Sequence, residues 1–224
     1  MDVVISLGGS LIAPDHIDTD FLKSFEKLIV KHVNNGTRFV IICGGGKTAR
    51  RYQEAASDVI DLLRDDLDWL GIHSTRLNAH LLRTIFRKHA HPNIVKNPKR
   101  DVKVRDNILI ASGWKPGFST DYDAVLLAKK FNIKKVFNLS NIDYVCDKDP
   151  NKHEGCVPIK QISWKDFRKL VGDEWHPGLN APFDPVAAKL AEKLGLEVII
   201  MNGKDMENLD KALNKKKFRG TVIK

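Results

Sequence analysis

Val3-Val4-Ile5-Ser6-Leu7-Gly8-Gly9-Ser10 opens the chain, and Phe39-Val40-Ile41-Ile42-Cys43-Gly44-Gly45-Gly46 follows further along. Each is an apolar run of strand length closed by glycines. Unbroken apolar runs, rather than alternating ones, mark strands buried on both faces, as in a parallel sheet covered by helices. The intervening segment fits: Asp18 or Thr19 can cap a helix whose Leu22, Phe25, Leu28, Ile29 and Val33 share one face, with Gly36 as its stop. Strand, glycine turn and helix then recur. Helices are predicted from Thr48, over Trp69–Ala90 and from Asp121 or Tyr122 to Phe131. Strands are predicted at Ile108–Ala111, Lys135–Leu139 and Glu197–Met201. His91–Asp106 reads as a loop or edge hairpin and Asp147–Ile159 as a polar loop. Ser163 caps a short helix. Asp184-Pro185 gives a cap and a first-turn proline to a helix that Gly195 ends. A helix over Met206–Leu213 leads into a last strand. The expected fold is α/β, a three-layer, open, mostly parallel sheet flanked by helices. One domain is expected over residues 1–224, with lobes of about 1–115 and 116–224 meeting at a seam near 112–120.

Hydrophobic residues at 42% and charged residues at 29% of 224 are ordinary for a globular chain and argue against disorder or a fibre. No apolar run approaches the ~20 residues that span a bilayer. Met1–Leu7 is too short and lacks the basic region of a signal peptide. Cys43, Cys146 and Cys156 have no metal-type or disulfide spacing, so a reducing cytoplasm is expected. The net charge of +9 fits either nucleic acid or a small anionic substrate. The basic clusters at Lys96–Arg105 and Lys215–Arg219 are not interleaved with aromatics as a base-stacking surface would be, so nucleic-acid binding is disfavoured.

The two glycine turns carry the chemical signal. Glycine admits a ligand close to the backbone, and free N–H groups at a helix start attract anions. Gly44-Gly45-Gly46-Lys47-Thr48 fails as a Walker A loop, because Ile41 stands where that motif has glycine. Gly44-x-Gly46-x-x-Ala49 meets only a loose dinucleotide pattern. One such turn would read as tight packing of helix on strand. Two in succession, backed by Lys47, Arg50 and Arg51, read as phosphate binding.

Ile5-Ser6-Leu7-Gly8-Gly9-Ser10-Leu11, Gly44-Gly45-Gly46, Ser119-Thr120-Asp121 and Asn141-Ile142-Asp143 with Asp149-Pro150 together resemble the amino-acid kinase superfamily. Within it, Gly44–Arg50, Asp68-x-x-Gly71-x-x-x-Thr75-Arg76-x-Asn78-Ala79 and Asp184-Pro185-x-Ala187-Ala188-Lys189 resemble the UMP kinases of archaeal type. The resemblance runs in order from residue 3 to about residue 200. It implies transfer of the γ-phosphoryl group of ATP to UMP. Such transfer rests on positioning and charge neutralisation. Gly8, Gly9 and Ser10 would meet the ATP phosphates, with Gly46 and Arg50 at the junction. Ser140, Asn141, Asp143, Cys146 and Asp149 would hold adenosine. Gly45, Asp68, Thr75, Gly113, Gly117, Ser119 and Thr120 would hold UMP, Asp68 through the ribose hydroxyls. Lys189 would neutralise the moving phosphoryl group, although a solvated helix lysine is its plain alternative. Asp121 would orient catalytic groups or simply cap its helix; both readings stand. Mg²⁺ would ride on the ATP phosphates without a dedicated protein cage. The resemblance also implies a homo-oligomer, in the pattern of a hexamer.

The chain departs from the family at three places. Ser6 stands where many members have lysine, and Lys47 is the candidate to supply that charge. Asp143-Tyr144-Val145-Cys146 replaces Asp-Gly-Val-Tyr or Asp-Gly-Val-Phe. Trp114-Lys115-Pro116-Gly117-Phe118 replaces a smaller loop, where Trp114 or Phe118 either stacks on a base or anchors packing. Two other readings compete. One is a kinase of another phosphate such as isopentenyl phosphate, disfavoured because no histidine follows the second glycine turn. The other is a non-catalytic nucleotide or oxyanion binder on the same fold.

Overall fold

The structure, a computed structural model, describes residues 1–148, 155–172, 174 and 181–224. Its strands are β1 (Val3–Leu7), β2 (Phe39–Cys43), β3 (Ile108–Ala111), β4 (Lys135–Ser140), β5 (Val145–Cys146), β6 (Pro158–Ile159), β7 (Gln161–Ile162), β8 (Glu197–Asn202) and β9 (Thr221–Ile223). Its helices are α1 (Gly9–Ile12), α2 (Thr19–Asn34), α3 (Gly46–Ser57), α4 (Arg64–Ile85), α5 (Thr120–Lys130), α6 (Trp164–Val171), α7 (Pro185–Lys193) and α8 (Met206–Leu213). Seven strands form one sheet in the order β3-β2-β1-β4-β8-β9-β7. Every pairing in it is parallel except that of β8 with β9.

The unbroken apolar strands divide their side chains between two cores. Ile5, Leu7, Phe39, Ile41 and Cys43 pack on the face covered by α2, α4 and α8. Val4, Val40, Ile42, Val136 and Val198 pack on the face covered by α5, α6 and α7. Helices on both faces make the expected three layers. The expected caps form: Asp18 accepts from the Phe21 N–H at 2.9 Å, Ser163 from Asp166 at 3.1 Å, and Asp184 from Val186 at 2.6 Å and Ala187 at 3.1 Å.

Three local expectations change, and one open alternative is decided. The first glycine turn continues into the one-turn helix α1. The second helix of the Thr48–Ala90 region starts at Arg64 rather than Trp69, because the Asp66 carboxylate turns back to accept the Leu63 N–H at 3.1 Å. It ends at Ile85, and Ala90 bridges to Ile108 instead. Of the two readings of His91–Asp106, loop or edge hairpin, the loop holds, and it touches β3 through the isolated bridge Val95–Ala111. The supposed loop ending at Ile159 contributes β6, which pairs antiparallel with β5.

From β1 the chain winds outward through β2 and β3, then returns to the other side of β1 with β4 and β8. In open α/β sheets a crevice opens at the carboxyl ends of the strands where the winding reverses. Here that point lies between β1 and β4, where the first glycine turn stands.

Candidate active site

Both glycine turns leave the carboxyl ends of adjacent strands. The Gly8 N–H donates to the Leu139 carbonyl at 2.8 Å and the Gly44 N–H to the Leu7 carbonyl at 2.9 Å. The turns then press backbone against backbone. A Cβ on Gly9 would lie 2.1 Å from the Gly46 nitrogen. Gly46 has φ +67°, and a Cβ there would lie 2.4 Å from the Gly9 carbonyl oxygen. Only glycine at both positions permits this contact. Asn78 secures the second turn, its Nδ2 donating to the Gly44 carbonyl at 2.8 Å.

Beside this junction opens a cavity of about 230 Å³. Gly45, Asp68, Thr75, Gly113, Ser119 and Thr120, read together as UMP contacts, line it, and so do Gly46 and Arg50, which the sequence reading placed with the ATP contacts. Gly117 does not line it, but its N–H donates to Asp68 Oδ2 at 2.7 Å, so one oxygen of Asp68 holds the loop. Thr75 Oγ1 accepts from the Gly113 N–H at 2.8 Å. Sequence reasoning missed Gln53 and Gly71 in the lining, and left Phe118 undecided. Phe118 faces the cavity. Trp114 instead stacks on Phe118 at 5.2 Å, with the Lys99 and Lys115 ammonium groups over its ring, so it anchors the loop.

Lys47 is not where the sequence reading put it. It does not line the cavity; its ammonium pairs with Asp15 at 2.7 Å, and Arg51 donates to the same residue. Gly46 starts α3 with its left-handed φ, and the next side chain is turned to the α1–α2 connection, where Asp15 waits. Lys189 is exposed in the second turn of α7 and has no carboxylate partner among the described residues.

Beneath the glycine junction lies a buried polar floor. Asp121 Oδ1 accepts from Ser6 Oγ and Asn138 Nδ2, both at 2.9 Å, and its Oδ2 from the Asp184 N–H at 3.2 Å. Ser6, in the position of the family lysine, thus spends its hydroxyl on Asp121. Burial, then the nearby Asp184 charge, push the Asp121 carboxyl up to about 7 against those hydrogen bonds. Burial also raises Asp184, which accepts from the Ser119 hydroxyl. Asp123 went unnoticed in the sequence. It is fully buried, takes the Trp114 N–H on Oδ2 at 3.0 Å, and leaves Oδ1 without a hydrogen-bond partner. Burial pushes it up to about 8. The available signal was an acid standing among Ala124, Leu127 and Ala128 on the core side of α5.

The residues read as adenosine contacts gather elsewhere, at the carboxyl ends of β4 and β8. The Ser140 carbonyl accepts from the Gly203 N–H at 2.8 Å, and Asp143 Oδ1 accepts from Asn202 Nδ2 at 2.9 Å. Asn141 is exposed beside them. Cys146 lies on β5, its thiol hydrogen-bonded to Cys156 and pushed up to about 11 by that contact and burial. Asp149 lies outside the described residues. Among the described residues no cluster of three His, Cys, Asp or Glu side chains could hold a metal.

The glycine junction at the switch point, the adjoining cavity with one arginine and the Asp68 carboxylate, and the buried acids Asp121, Asp123 and Asp184 make up the candidate site. Residues 1–202 match the model of the amino acid kinase family, and the chain belongs to that family. Its relatives narrow the comparison. It is 34% identical to a uridylate kinase of Methanocorpusculum labreanum over 99% of this chain and 94% of that one. It is 31% identical to a uridylate kinase of Thermococcus kodakarensis over 100% and 99%. The crystal structure of uridylate kinase from Archaeoglobus fulgidus superposes with a TM-score of 0.83 at 28% identity, covering both chains fully.

Proposed function

We propose that the protein transfers the γ-phosphoryl group of ATP to the phosphate of UMP, giving UDP and ADP. The observation that carries this reading is the junction of Gly9 with Gly46: it sets two phosphate-binding turns in backbone contact, with the acceptor cavity on one side. Donor and acceptor phosphates held there meet in line, and transfer then needs charge neutralisation rather than a covalent intermediate. Arg50 supplies a fork suited to phosphate oxygens. Asp68 keeps one carboxylate oxygen free of the loop, and it accepts from the ribose hydroxyls. Lys189, exposed and without a carboxylate partner among the described residues, reaches the moving group from α7. The acceptor phosphate is already anionic, so no base is required. Isopentenyl phosphate fits poorly, because it has no hydroxyl groups for the Asp68 carboxylate in this lining and would set a hydrocarbon tail against it.

Magnesium would ride on the ATP phosphates and spread their negative charge. Asp121 and Asp184 already accept hydrogen bonds from Ser6, Asn138, Ser119 and backbone N–H groups, and no acid cluster among the described residues makes a dedicated cage.

Residues 1–115 form the acceptor-side lobe and 116–224 the nucleotide-side lobe, with Ser140, Asn141, Asp143, Cys146 and Asp149 around adenosine. The protein works in the cytoplasm as a homo-oligomer. An apolar surface on α3, α4 and their connection supports self-association: Tyr52, Val59, Ile60, Leu63 and Leu77 are all at least 60% exposed. No helix among the described residues is long and apolar enough to cross a membrane.

The test is ADP release from ATP and Mg²⁺ with UMP, CMP, dTMP, AMP, isopentenyl phosphate or no acceptor. Turnover with UMP, reduced by Asp68→Asn through KM and by Lys189→Ala through kcat, is the expected result. Tight nucleotide binding without turnover on any acceptor would overturn the proposal.

A further inference from the structure

Residues 113–118 pass along one side of the acceptor cavity, and Gly113 and Phe118 line it. Side chains from two helices strap this segment down by its backbone. Three straps come from α4. Thr75 Oγ1 accepts from the Gly113 N–H at 2.8 Å, Arg76 Nη2 donates to the Trp114 carbonyl at 3.3 Å, and Asp68 Oδ2 accepts from the Gly117 N–H at 2.7 Å. The fourth comes from α5, where Asp123 Oδ2 accepts from the Trp114 N–H at 3.0 Å. Trp114 is thus gripped at its N–H from α5 and at its carbonyl from α4.

The grip continues to the cavity. The Trp114 ring stacks on Phe118 at 5.2 Å, and Phe118 packs against Tyr122 of α5 at 4.9 Å. Tyr122 and Asp123 are neighbours in α5. One turn of that helix therefore fixes both ends of the stack, Tyr122 through its ring and Trp114 through its backbone. Asp123 itself does not line the cavity.

Packing does not call for an acid at this position. Asp123 is fully buried, and Ala124, Leu127 and Ala128 are its companions on the core side of α5. An apolar side chain there would avoid the cost of burying a carboxyl group. Oδ1 has no hydrogen-bond partner among the described residues, so the bond that offsets this cost is the one to the loop. Breaks in the local rules of this kind concentrate where a site has to be held in place.

We infer that Asp123 is a positioning residue: by holding the Trp114 N–H it fixes, through the stack of Trp114, Phe118 and Tyr122, the Phe118 wall of the acceptor cavity, and so sets how tightly the acceptor is held. This role rests on the acceptor assignment of the proposed function. Burial pushes the carboxyl up to about 8, so at neutral pH it is the neutral acid, and Oδ2 accepts as a carbonyl oxygen does. Asparagine keeps such an oxygen. Leucine and alanine do not.

The experiment sets Asp123→Leu, Asp123→Ala and Asp123→Asn beside the wild type, as full chains, in steady-state kinetics and in hydrogen exchange read by mass spectrometry. Leucine and alanine should each raise KM for UMP roughly tenfold, the worth of one hydrogen bond, with kcat and KM for ATP within about threefold. Asparagine should recover most of that loss. Exchange over residues 112–119 should quicken roughly tenfold relative to β1 and β2 in the leucine and alanine variants, and asparagine should restore it. Alanine cannot overpack, so it answers if leucine disturbs folding. An unchanged KM for UMP, a loss carried equally by kcat, or a loss that asparagine does not recover would overturn the inference and leave the kinase reading standing. So would exchange that quickens evenly along the chain. A wild type that phosphorylates no acceptor removes the kinase reading, and calorimetric titration with UMP then decides. Binding weakened by leucine and recovered by asparagine upholds the inference, and equal binding or none overturns it.

Discussion

Replacing Asp123 with asparagine should stabilise the protein at neutral pH and not at acid pH. The folded carboxyl titrates at about 8, against 3.8 ordinarily, because it is fully buried and only the Trp114 N–H compensates its charge. Its folded pKa thus lies above the unfolded one, so between pH 4 and 8 the native state holds a proton that the unfolded chain has released. Stability is full below about pH 4 and falls by ~1.4 kcal/mol per unit as pH rises, levelling off above about pH 8. At pH 7 the accumulated cost is about 4 kcal/mol. Asparagine cannot ionise and keeps an oxygen for Trp114. Its amide, set where Oδ1 has no partner, costs ~1–2 kcal/mol. The net gain at pH 7 is therefore about 2–3 kcal/mol, or a rise in Tm of roughly 4–10 °C for a chain of this size. At pH 4 the native carboxyl is protonated and the unfolded one, with an ordinary value of 3.8, is close to half protonated, so less than ~1 kcal/mol of the gain is left and the variant equals or falls below the wild type. Thermal unfolding of both proteins from pH 4 to 8 checks this. A difference in Tm that stays constant across that range would refute the reasoning.

Three further outcomes follow from the site. Gly9→Ala drives a methyl group into the Gly46 backbone and should cost ~3 kcal/mol or more in denaturant unfolding, with loss of turnover even where the variant folds; wild-type kinetics would refute the junction's role. Arg50→Ala should raise KM for the acceptor by about 10–100-fold, the worth of a charged hydrogen bond, with a smaller effect on KM for ATP, as steady-state kinetics will show. Lys47→Ala removes only an exposed pair with Asp15, so kcat/KM should stay within about fivefold of wild type and stability within ~1 kcal/mol; a hundredfold loss would return Lys47 to the catalytic set.

The candidate site was legible to different depths. Gly45, Arg50, Asp68, Thr75, Ser119 and Thr120 carry motif spacing, and the folded chain gathers them around one cavity. Lys47 carried the same kind of signal and lies elsewhere, because its partner Asp15 is distant in sequence and enters only through the α1–α2 connection. The role of Ser6 was equally hidden. Its hydrogen bond to Asp121 spans 115 positions, so the residue reads as a missing lysine in sequence and as a carboxylate partner in space.

The sequence by itself determined the elements, because periodicity and capping are local: apolar runs of strand length, glycine turns, and caps at Asp18, Ser163 and Asp184. It also determined the class of fold, since strands apolar on both sides need helices on both faces. Tertiary structure alone decided how the two glycine turns meet, which acids share one buried floor, and which lysines pair with a carboxylate, as Lys47 does with Asp15. Burial and charge pairing depend on neighbours that only the closed sheet brings together. The raised carboxyls of Asp121 and Asp123 exist because the fold removes water from positions that, in the chain, are ordinary aspartates.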